Sequence, residues 1–299
     1  MSAPLKGIFP VIPTLFGDDN SLDLEGQRKV TRWALEAGAQ GIVFPGVASE
    51  YNFLSPAERG ELIALVADEV AGQVPIIGGA SAPTSEEVIV AGWQALNSGI
   101  NHLMVMAPRG FGQDLDAHQR FFHAIATALP EAKMILQNAP NPVGAGLAAD
   151  AIASIAAAET SITYIKEETL PSGPAITALQ DADIPHLQGV FGGGGSRYVI
   201  DEFDRGALAA LPAVELTDLH VALYQAHSSG NHDHARELYR LSLPLLVSQA
   251  IYRMRLTKYV LRQRGIVDSL HVRAPLPELD EFTRRDIDRM LDDLRAVFP

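Results

Sequence analysis

A lysine stands at the end of a short apolar run in the segment TYIKEET, residues 163–169. Desolvating an ammonium group is costly, so Lys166 has either surfaced where the run ends or serves a chemical purpose there. A partly desolvated amine has a depressed pKa and can attack a ketone to form a Schiff base. Lys166 is therefore the candidate nucleophile, although its position alone slightly favours a surface lysine in the loop after a strand.

Glu168 follows Lys166 at the spacing that puts two side chains on the same face of a strand. The same alternation places Tyr164 on that face and Ile165 and Glu167 on the other. We therefore expect Glu168 to share a cavity with Lys166. A carboxylate in that position raises the lysine pKa, so a nucleophilic Lys166 would require Glu168 to be protonated.

Eight short apolar runs alternate with longer amphipathic segments between residues 7 and 213. The runs are almost continuously apolar, as in parallel strands covered on both faces, whereas the longer segments repeat apolar residues with the helical period. Ser55 and Thr84 stand at predicted helix starts, with glutamates in the first turn. We predict an α/β fold, a (β/α)₈ TIM barrel over residues 1–213 with a C-terminal helical region over 214–299. The alternative is an open doubly wound sheet.

The C-terminal ends of the barrel strands should form the active-site mouth. The segments predicted there contain few histidines and no cluster of carboxylates, so we predict that neither a metal nor a cofactor takes part. The glycine run at 192–195 lacks the other residues of a phosphate-binding loop. We expect it to form a tight turn and to leave room for the polar end of a substrate, with Gly193 as a contact.

The chain has 299 residues, a net charge of −13 and no cysteine. This charge argues against a nucleic-acid partner, and no apolar run approaches the roughly 20 residues of a membrane helix. The first residues lack the apolar centre of a signal peptide, so we expect a cytoplasmic protein. Two patterns are interpreted as solvated: His232 with His234, and the basic run at 253–264, which is alternatively a subunit contact.

Seven motifs occur in the order and spacing of one enzyme family: GIFPVIPTLF, GVASE, LSPAER, PIIGGASAPTSEE, HLMVMAP, QNAP and YIKEET. Over residues 5–297 the chain resembles the dihydrodipicolinate synthase / N-acetylneuraminate lyase family. The resemblance implies a (β/α)₈ barrel, a Schiff base on Lys166, a small-molecule 2-keto acid as substrate and no cofactor. Family members are often dimers or tetramers, so a homo-oligomer is one expectation, although the tyrosine that members supply across a subunit interface is absent.

The chain departs from the family pattern at three positions. The Gly-Thr-Thr-Gly-Glu motif after the second strand is GVASE, the tyrosine that ends the fifth strand is Gln137, and the cross-subunit tyrosine segment carries Arg109 and Gly110. We therefore do not expect dihydrodipicolinate synthase activity. The pattern resembles more closely a branch similar to L-2-keto-3-deoxyarabonate dehydratase, through Ser49-Glu50, the Gln-x-Ala-Pro segment at 137–140 and the Lys-x-Glu-Thr segment at 166–169.

Replacement of the tyrosine by Gln137 favours cleavage of a carbon–oxygen bond. Once a 2-keto-3-deoxy acid is an iminium on Lys166, its C3 proton becomes acidic, and the resulting enamine can expel a C4 hydroxyl group. Retro-aldol cleavage needs a base for the C4 hydroxyl proton, whereas glutamine can only orient a hydroxyl group or water. Glu50 or Glu168 is the candidate acid for the departing hydroxide, and the alternative for Glu50 is to brace its loop.

Five residues complete the predicted site. The backbone N–H groups of Ala48 and Ser49 and the Ser49 hydroxyl group are candidates for binding the substrate carboxylate, as in related family members. Asn138, Thr169 and Gly193 are the further substrate-binding candidates. The alternative for Ser49 is a turn or cap residue, and for Asn138 support of the loop backbone is the stronger expectation.

The sequence thus predicts a Schiff-base lyase that acts on a 2-keto-3-deoxy sugar acid, in the first place as a dehydratase. Two alternatives stand beside it: a pyruvate-releasing aldolase, and a non-catalytic protein that binds keto acids after losing the tyrosines. The retained Lys166 argues against the second alternative, because binding alone does not require a nucleophile.

Overall fold

The eight strands form one parallel sheet in which sequential strands are neighbours, seen here in a computed structural model that describes residues 4–295 and 297–298. They are Gly7–Ile8 (β1), Ile42–Val43 (β2), Ile76–Gly79 (β3), His102–Met106 (β4), Lys133–Asn138 (β5), Ile162–Glu167 (β6), Gly189–Gly192 (β7) and Ala209–Ala210 (β8). β1 pairs with β8, and Val11 bridges to both Val43 and Ala213. These bridges join the first and second strands and close the sheet. The predicted (β/α)₈ barrel is confirmed.

Ten α-helices follow the predicted amphipathic segments within the described residues. They are Leu24–Glu36 (α1), Pro56–Val70 (α2), Ser85–Asn97 (α3), Leu115–Ala128 (α4), Ala149–Ala158 (α5), Ser172–Asp181 (α6), Val199–Asp204 (α7), Thr217–Ser228 (α8), His232–Gln263 (α9) and Glu281–Leu294 (α10). Both predicted start signals are present, since Ser55 and Thr84 each accept a hydrogen bond from the backbone N–H of a glutamate three residues later.

A layer of apolar side chains fills the barrel below its mouth. Tyr164 stacks on Phe191 with ring centroids 4.7 Å apart, and Phe9 lies on the other side of Phe191 at 6.5 Å. Met104 and Ile135 complete this layer from neighbouring strands. Tyr164 precedes Lys166 by two residues on β6, so the lysine stands one layer above a closed floor.

The C-terminal helices cover one side of the mouth. α9 is broken at Arg253, where φ is 50° and ψ is −127°, and it contacts the short turns Val47–Ser49 and Gly194–Ser196 that follow β2 and β7. α10 packs on α9, whereas α8 contacts β1 as the eighth helix of a barrel would. Division of the chain at residue 213 therefore stays a prediction, with α8 lying just beyond it.

The basic run at 253–264 differs from its interpretation as a solvated face. Leu256, Lys258, Val260 and Leu261 are buried, because the second half of α9 packs between the barrel and α10. The closely spaced arginines drew attention away from the apolar residues of the same helix, which form its buried face. Among the described residues, no helix has the length and apolar character needed to cross a membrane.

Candidate active site

A cavity of about 260 Å³ opens at the C-terminal ends of the strands. Lys166, Glu168, Gln137 and Ala48 line it, so the barrel brings four of the predicted site residues to one place. The volume lies just below the usual range for ligand pockets and suits a small acid. Lys166 is only 5% exposed, which removes the alternative of a surface lysine in a loop.

Lys166, Glu168 and Gln137 form a hydrogen-bonded group. Lys166 Nζ lies 2.8 Å from Glu168 Oε1, and Gln137 Nε2 donates to the same oxygen at 2.6 Å. Gln137 and Lys166 are paired in register on β5 and β6, which is why the two side chains meet. The backbone N–H of Gly194 donates to Glu168 Oε2 at 3.4 Å. Glu168 is thus surrounded by donors.

These contacts determine the charge of Glu168. Burial raises the pKa of Glu168, but the charge of Lys166 and the hydrogen bonds from Lys166, Gln137 and Gly194 outweigh burial and leave that pKa below its ordinary value. Glu168 is therefore a carboxylate at neutral pH. The protonated Glu168 that we expected a nucleophilic Lys166 to require is not the resting state, because its donors favour the ionised form.

Gly193 lies directly against the side chain of Glu168 and does not line the cavity. A Cβ atom built on Gly193 would lie 2.1 Å from Glu168 Cγ and 2.8 Å from Glu168 Cδ. Both distances are far below van der Waals contact, so the absent side chain makes room for the carboxylate. The structure therefore gives Gly193 a role in positioning Glu168, in place of the predicted substrate contact.

We predict that Gly193→Ala lowers turnover by about 10- to 100-fold, because the added methyl group must push Glu168 away from Lys166. The same overpacking should lower the free energy of unfolding by about 1–3 kcal/mol. Steady-state rates and urea unfolding measure the two effects. Gly110→Ala is the matched control, since nothing lies within 4 Å of a Cβ at that position. Equal rates for both variants would contradict the positioning role.

Ala48 lines the cavity, whereas Ser49 lies behind it. The Ser49 hydroxyl group donates to the carbonyl oxygen of Ile12 at 2.5 Å and accepts from the backbone N–H of Gly46 at 2.8 Å. The Ser49 N–H donates to the carbonyl oxygen of Gly46. All the donors of Ser49 are therefore engaged in shaping the turn Val47–Ser49. The geometry favours the alternative of a turn residue for Ser49.

Glu50 also points away from the cavity. Its Oε1 accepts from Lys258 Nζ at 2.8 Å, and its Oε2 accepts from the backbone N–H groups of Arg273 and Ala274, each at 2.8 Å. Both side chains of this ion pair are completely buried. Burial lowers the pKa of Lys258 to about 8, although the charge of Glu50 opposes the shift. The geometry therefore favours bracing of the C-terminal segment over proton handling for Glu50.

We predict that Lys258→Met lowers the free energy of unfolding by about 3–5 kcal/mol, because it leaves the Glu50 carboxylate buried without its ammonium partner. The double variant Glu50→Gln/Lys258→Met should recover a large part of that loss, since no unpaired charge remains. Urea unfolding of both proteins measures the difference. Equal losses in the two variants would show that the pair is not coupled as the buried contact requires.

Asn138 and Thr169 hold a second buried carboxyl group. Asn138 Nδ2 donates to Glu167 Oε2 at 2.9 Å and to the carbonyl oxygen of Leu147, while Asn138 Oδ1 accepts from the Leu147 N–H. The Thr169 N–H and hydroxyl group both donate to Glu167 Oε1. Burial raises the pKa of Glu167. Neither Asn138 nor Thr169 lines the cavity, and both fix the backbone around Lys166.

Four polar residues of the cavity wall were missed from the sequence, Tyr198 among them. Arg197 follows β7, and Gln249 and Arg253 come from α9. The glycine run before Arg197 indicated a polar substrate end at this position, which is the only signal that pointed there. Nothing in the local pattern of α9 distinguishes a residue that faces the barrel mouth from one that faces solvent.

His232 lies in a group that its spacing to His234 did not suggest. Asp204 Oδ1 is 2.9 Å from His227 Nε2, and His232 approaches both residues closely enough for the three to share an ion. Arg236 also pairs with Asp204, at 3.3 Å, and supplies positive charge to this carboxylate. The group lies away from the Lys166 cavity, and His234 takes no part in it.

A closed (β/α)₈ barrel with a buried lysine on its sixth strand and a helical C-terminal region defines a known class of lyase. Residues 4–294 match the model of the dihydrodipicolinate synthetase family, and the chain belongs to that family. The resemblance seen in the seven motifs is confirmed.

Relatives with different activities are similarly distant. The chain is 28% identical over 295 residues to the L-2-keto-3-deoxyarabonate dehydratase of Azospirillum brasilense, covering 97% of this chain and 95% of that one. It is 29% identical over 255 residues to the 4-hydroxy-tetrahydrodipicolinate synthase of Methanopyrus kandleri, covering 82% and 81%. The crystal structure of dihydrodipicolinate synthase from Rhodopseudomonas palustris superposes with a TM-score of 0.89 at 24% identity, covering 97% of each chain.

Proposed function

We propose that the protein is a Schiff-base lyase that removes water from a 2-keto-3-deoxy sugar acid. The observation that carries the proposal is the position of the Glu168 carboxylate, which contacts both Lys166 and Gln137. Gln137 is the residue that stands where the family has a tyrosine. Glu168 supplies an acid–base group next to Lys166 Nζ, the nitrogen that would carry the substrate. Gln137, on β5, cannot supply such a group because an amide does not titrate. Similarity to a keto-deoxy-sugar dehydratase over nearly the whole chain supports the proposal.

Glu168 first accepts a proton from Lys166, whose Nζ lies 2.8 Å from its Oε1. The neutral amine attacks C2 of the keto acid, and the carbinolamine loses its hydroxyl group as water with the proton that Glu168 holds. The iminium cation then takes the place of the ammonium group opposite the Glu168 carboxylate. This pairing stabilises the positive charge in a site shielded from water.

Elimination uses the same carboxyl group a second time. Glu168 removes a C3 proton, and the electrons of the C3–H bond form the enamine and neutralise the nitrogen. The enamine electrons then return to re-form the iminium as the C4–O bond breaks, and the leaving hydroxide takes the proton from Glu168 as water. Hydrolysis of the conjugated iminium frees the product and Lys166. Gln137 keeps Glu168 in place throughout.

A pyruvate-releasing aldolase is the second candidate, and one observation favours it. Tyr198, which follows the turn Gly194–Ser196, lines the cavity. A tyrosine hydroxyl group at this wall is of the type that can take a C4 hydroxyl proton during carbon–carbon cleavage. The two reactions therefore differ in the residue they require.

Product analysis tests the proposal and separates the two candidates. The enzyme is incubated with uniformly ¹³C-labelled 2-keto-3-deoxypentonates and 2-keto-3-deoxyhexonates of both C4 configurations, and the products are followed by NMR. A dehydratase keeps all the carbons in one product, and Tyr198→Phe retains the activity. Release of labelled pyruvate that disappears in Tyr198→Phe would establish the aldolase instead. No turnover of any of these acids, with no exchange of pyruvate methyl protons, would favour the non-catalytic binder.

A further inference from the structure

Two arginines on the cavity wall have no acidic partner. Among residues 4–295 and 297–298, no ion pair or side-chain hydrogen bond is formed by Arg197 or Arg253. Both are half-buried. Burial, together with the nearby positive charge of Arg253, lowers the pKa of Arg197, although a guanidinium group stays protonated at neutral pH. Two like charges thus face one small cavity, and the carboxylates that attract Arg197, those of Glu168 and Glu202, form no ion pair with it.

The loop after β7 is built to hold Arg197 at this wall. Gly195, at φ 66°, lets the backbone pass so closely that an added Cβ would lie 3.0 Å from Arg197 Nη1 and 3.7 Å from Gln249 Oε1. The Tyr239 hydroxyl group donates to the carbonyl oxygen of Arg197 at 2.5 Å and ties the loop to α9. Arg197 and the polar end of Gln249 therefore converge beside one glycine.

Arg253 occupies a backbone conformation that residues other than glycine rarely adopt. Its φ of 50° and ψ of −127° interrupt α9 at the residue that lines the cavity. Strained backbone of this kind collects at ligand-binding positions, where the surrounding structure over-determines it. The break in α9 thus coincides with the second unpaired guanidinium group.

We propose that Arg197 and Arg253 bind a terminal carboxylate at the end of the substrate that lies away from Lys166. The substrate is then a 2-keto-3-deoxy dicarboxylic acid, an inference that rests on the proposed Schiff-base function. With a mono-acid bound, the iminium and two arginines carry three positive charges against Glu168 and one substrate carboxylate. A second substrate carboxylate makes the positive and negative charges in the site equal. The two parallel N–H groups of a guanidinium match the two oxygens of a carboxylate.

The test compares chain-matched keto acids in borohydride trapping on the whole protein. 2-Ketoadipate carries a terminal carboxylate, 2-ketohexanoate has the same chain length without it, and pyruvate has no distal end. We expect half-maximal trapping of 2-ketoadipate at about 10- to 100-fold lower concentration than of 2-ketohexanoate. Arg197→Gln and Arg253→Gln should each reduce that ratio by about tenfold. Arg253→Lys should retain part of it, and Arg109→Gln, outside the cavity, should keep it.

Each outcome has a distinct meaning. If no keto acid is trapped, the proposed Schiff-base function fails. If pyruvate is trapped but 2-ketoadipate is not preferred, only the inference about the arginines fails. If trapping of pyruvate falls in the arginine variants by the same factor as trapping of 2-ketoadipate, the two arginines bind the carboxylate next to the keto group. That result overturns the inference. A sugar-acid phosphate trapped at lower concentration than 2-ketoadipate would overturn the carboxylate in favour of a phosphate ester.

Discussion

Lys166→Arg should abolish turnover, with a loss of about 10⁴-fold or more. Arginine retains the positive charge opposite Glu168, so the ion pair that is 2.8 Å long in the wild-type protein has a substitute. A guanidinium group remains protonated and cannot attack a ketone, so the covalent route is closed. The measurement is the initial rate with the acid found by product analysis, together with exchange of pyruvate methyl protons in D₂O.

Two comparisons make this result specific. Lys133→Arg changes a lysine at the start of β5, at the opposite end of the barrel from the cavity, and should leave both rates unchanged. Thermal unfolding of the two variants checks that each is folded. Turnover by folded Lys166→Arg at a rate within about tenfold of the wild type would contradict a covalent role for Lys166.

Glu168→Gln should separate nucleophilic attack from proton transfer. Glutamine keeps an acceptor for Lys166 Nζ and the size of the side chain, but it cannot take or return the C3 proton. We expect turnover and methyl-proton exchange to fall by about 10²- to 10⁴-fold, while borohydride still traps keto acids.

Glu50→Gln is the matched comparison for this variant, because both changes neutralise a glutamate of the originally predicted site. Glu50 accepts from Lys258 and two backbone N–H groups outside the cavity, so its loss should appear in stability. Proton exchange per folded molecule should stay close to that of the wild type. If Glu50→Gln loses exchange and Glu168→Gln keeps it, the two carboxyl groups have been assigned the wrong way round.

The barrel was accessible from the sequence because its signals are local, whereas the proposed role of Lys166 came from the resemblance to a family, since position alone favoured a surface lysine. Parallel strands covered on both faces give continuous apolar runs, and strand alternation over TYIKEET places Lys166 and Glu168 together. Gln137 was singled out because it stands where the family has a tyrosine, and the structure pairs it in register with Lys166. The barrel and the shared face of Lys166 and Glu168 need only the period of a strand and the order of the units.

Some residues have a different position in the structure from the one predicted from the sequence, because long-range contacts determine where their side chains lie. Ser49 and Glu50 follow β2 as the pattern requires, but their side chains are engaged by Ile12 and by Lys258, which lies 208 residues away from Glu50. The burial of Lys258 inside a basic helix and the break at Arg253 arise from how α9 crosses the mouth. No local periodicity carries that information.

The proposed Schiff base on Lys166 is tested most directly by borohydride reduction with pyruvate, followed by intact mass and peptide mapping. The chain has five lysines, of which Lys258 is the informative rival because burial lowers its pKa to about 8. Lys258 lies outside the cavity and is held by Glu50, whereas Lys166 lines the cavity. We expect a single adduct on Lys166, absent from Lys166→Arg. An adduct on Lys258, or none with any 2-keto acid, would contradict it.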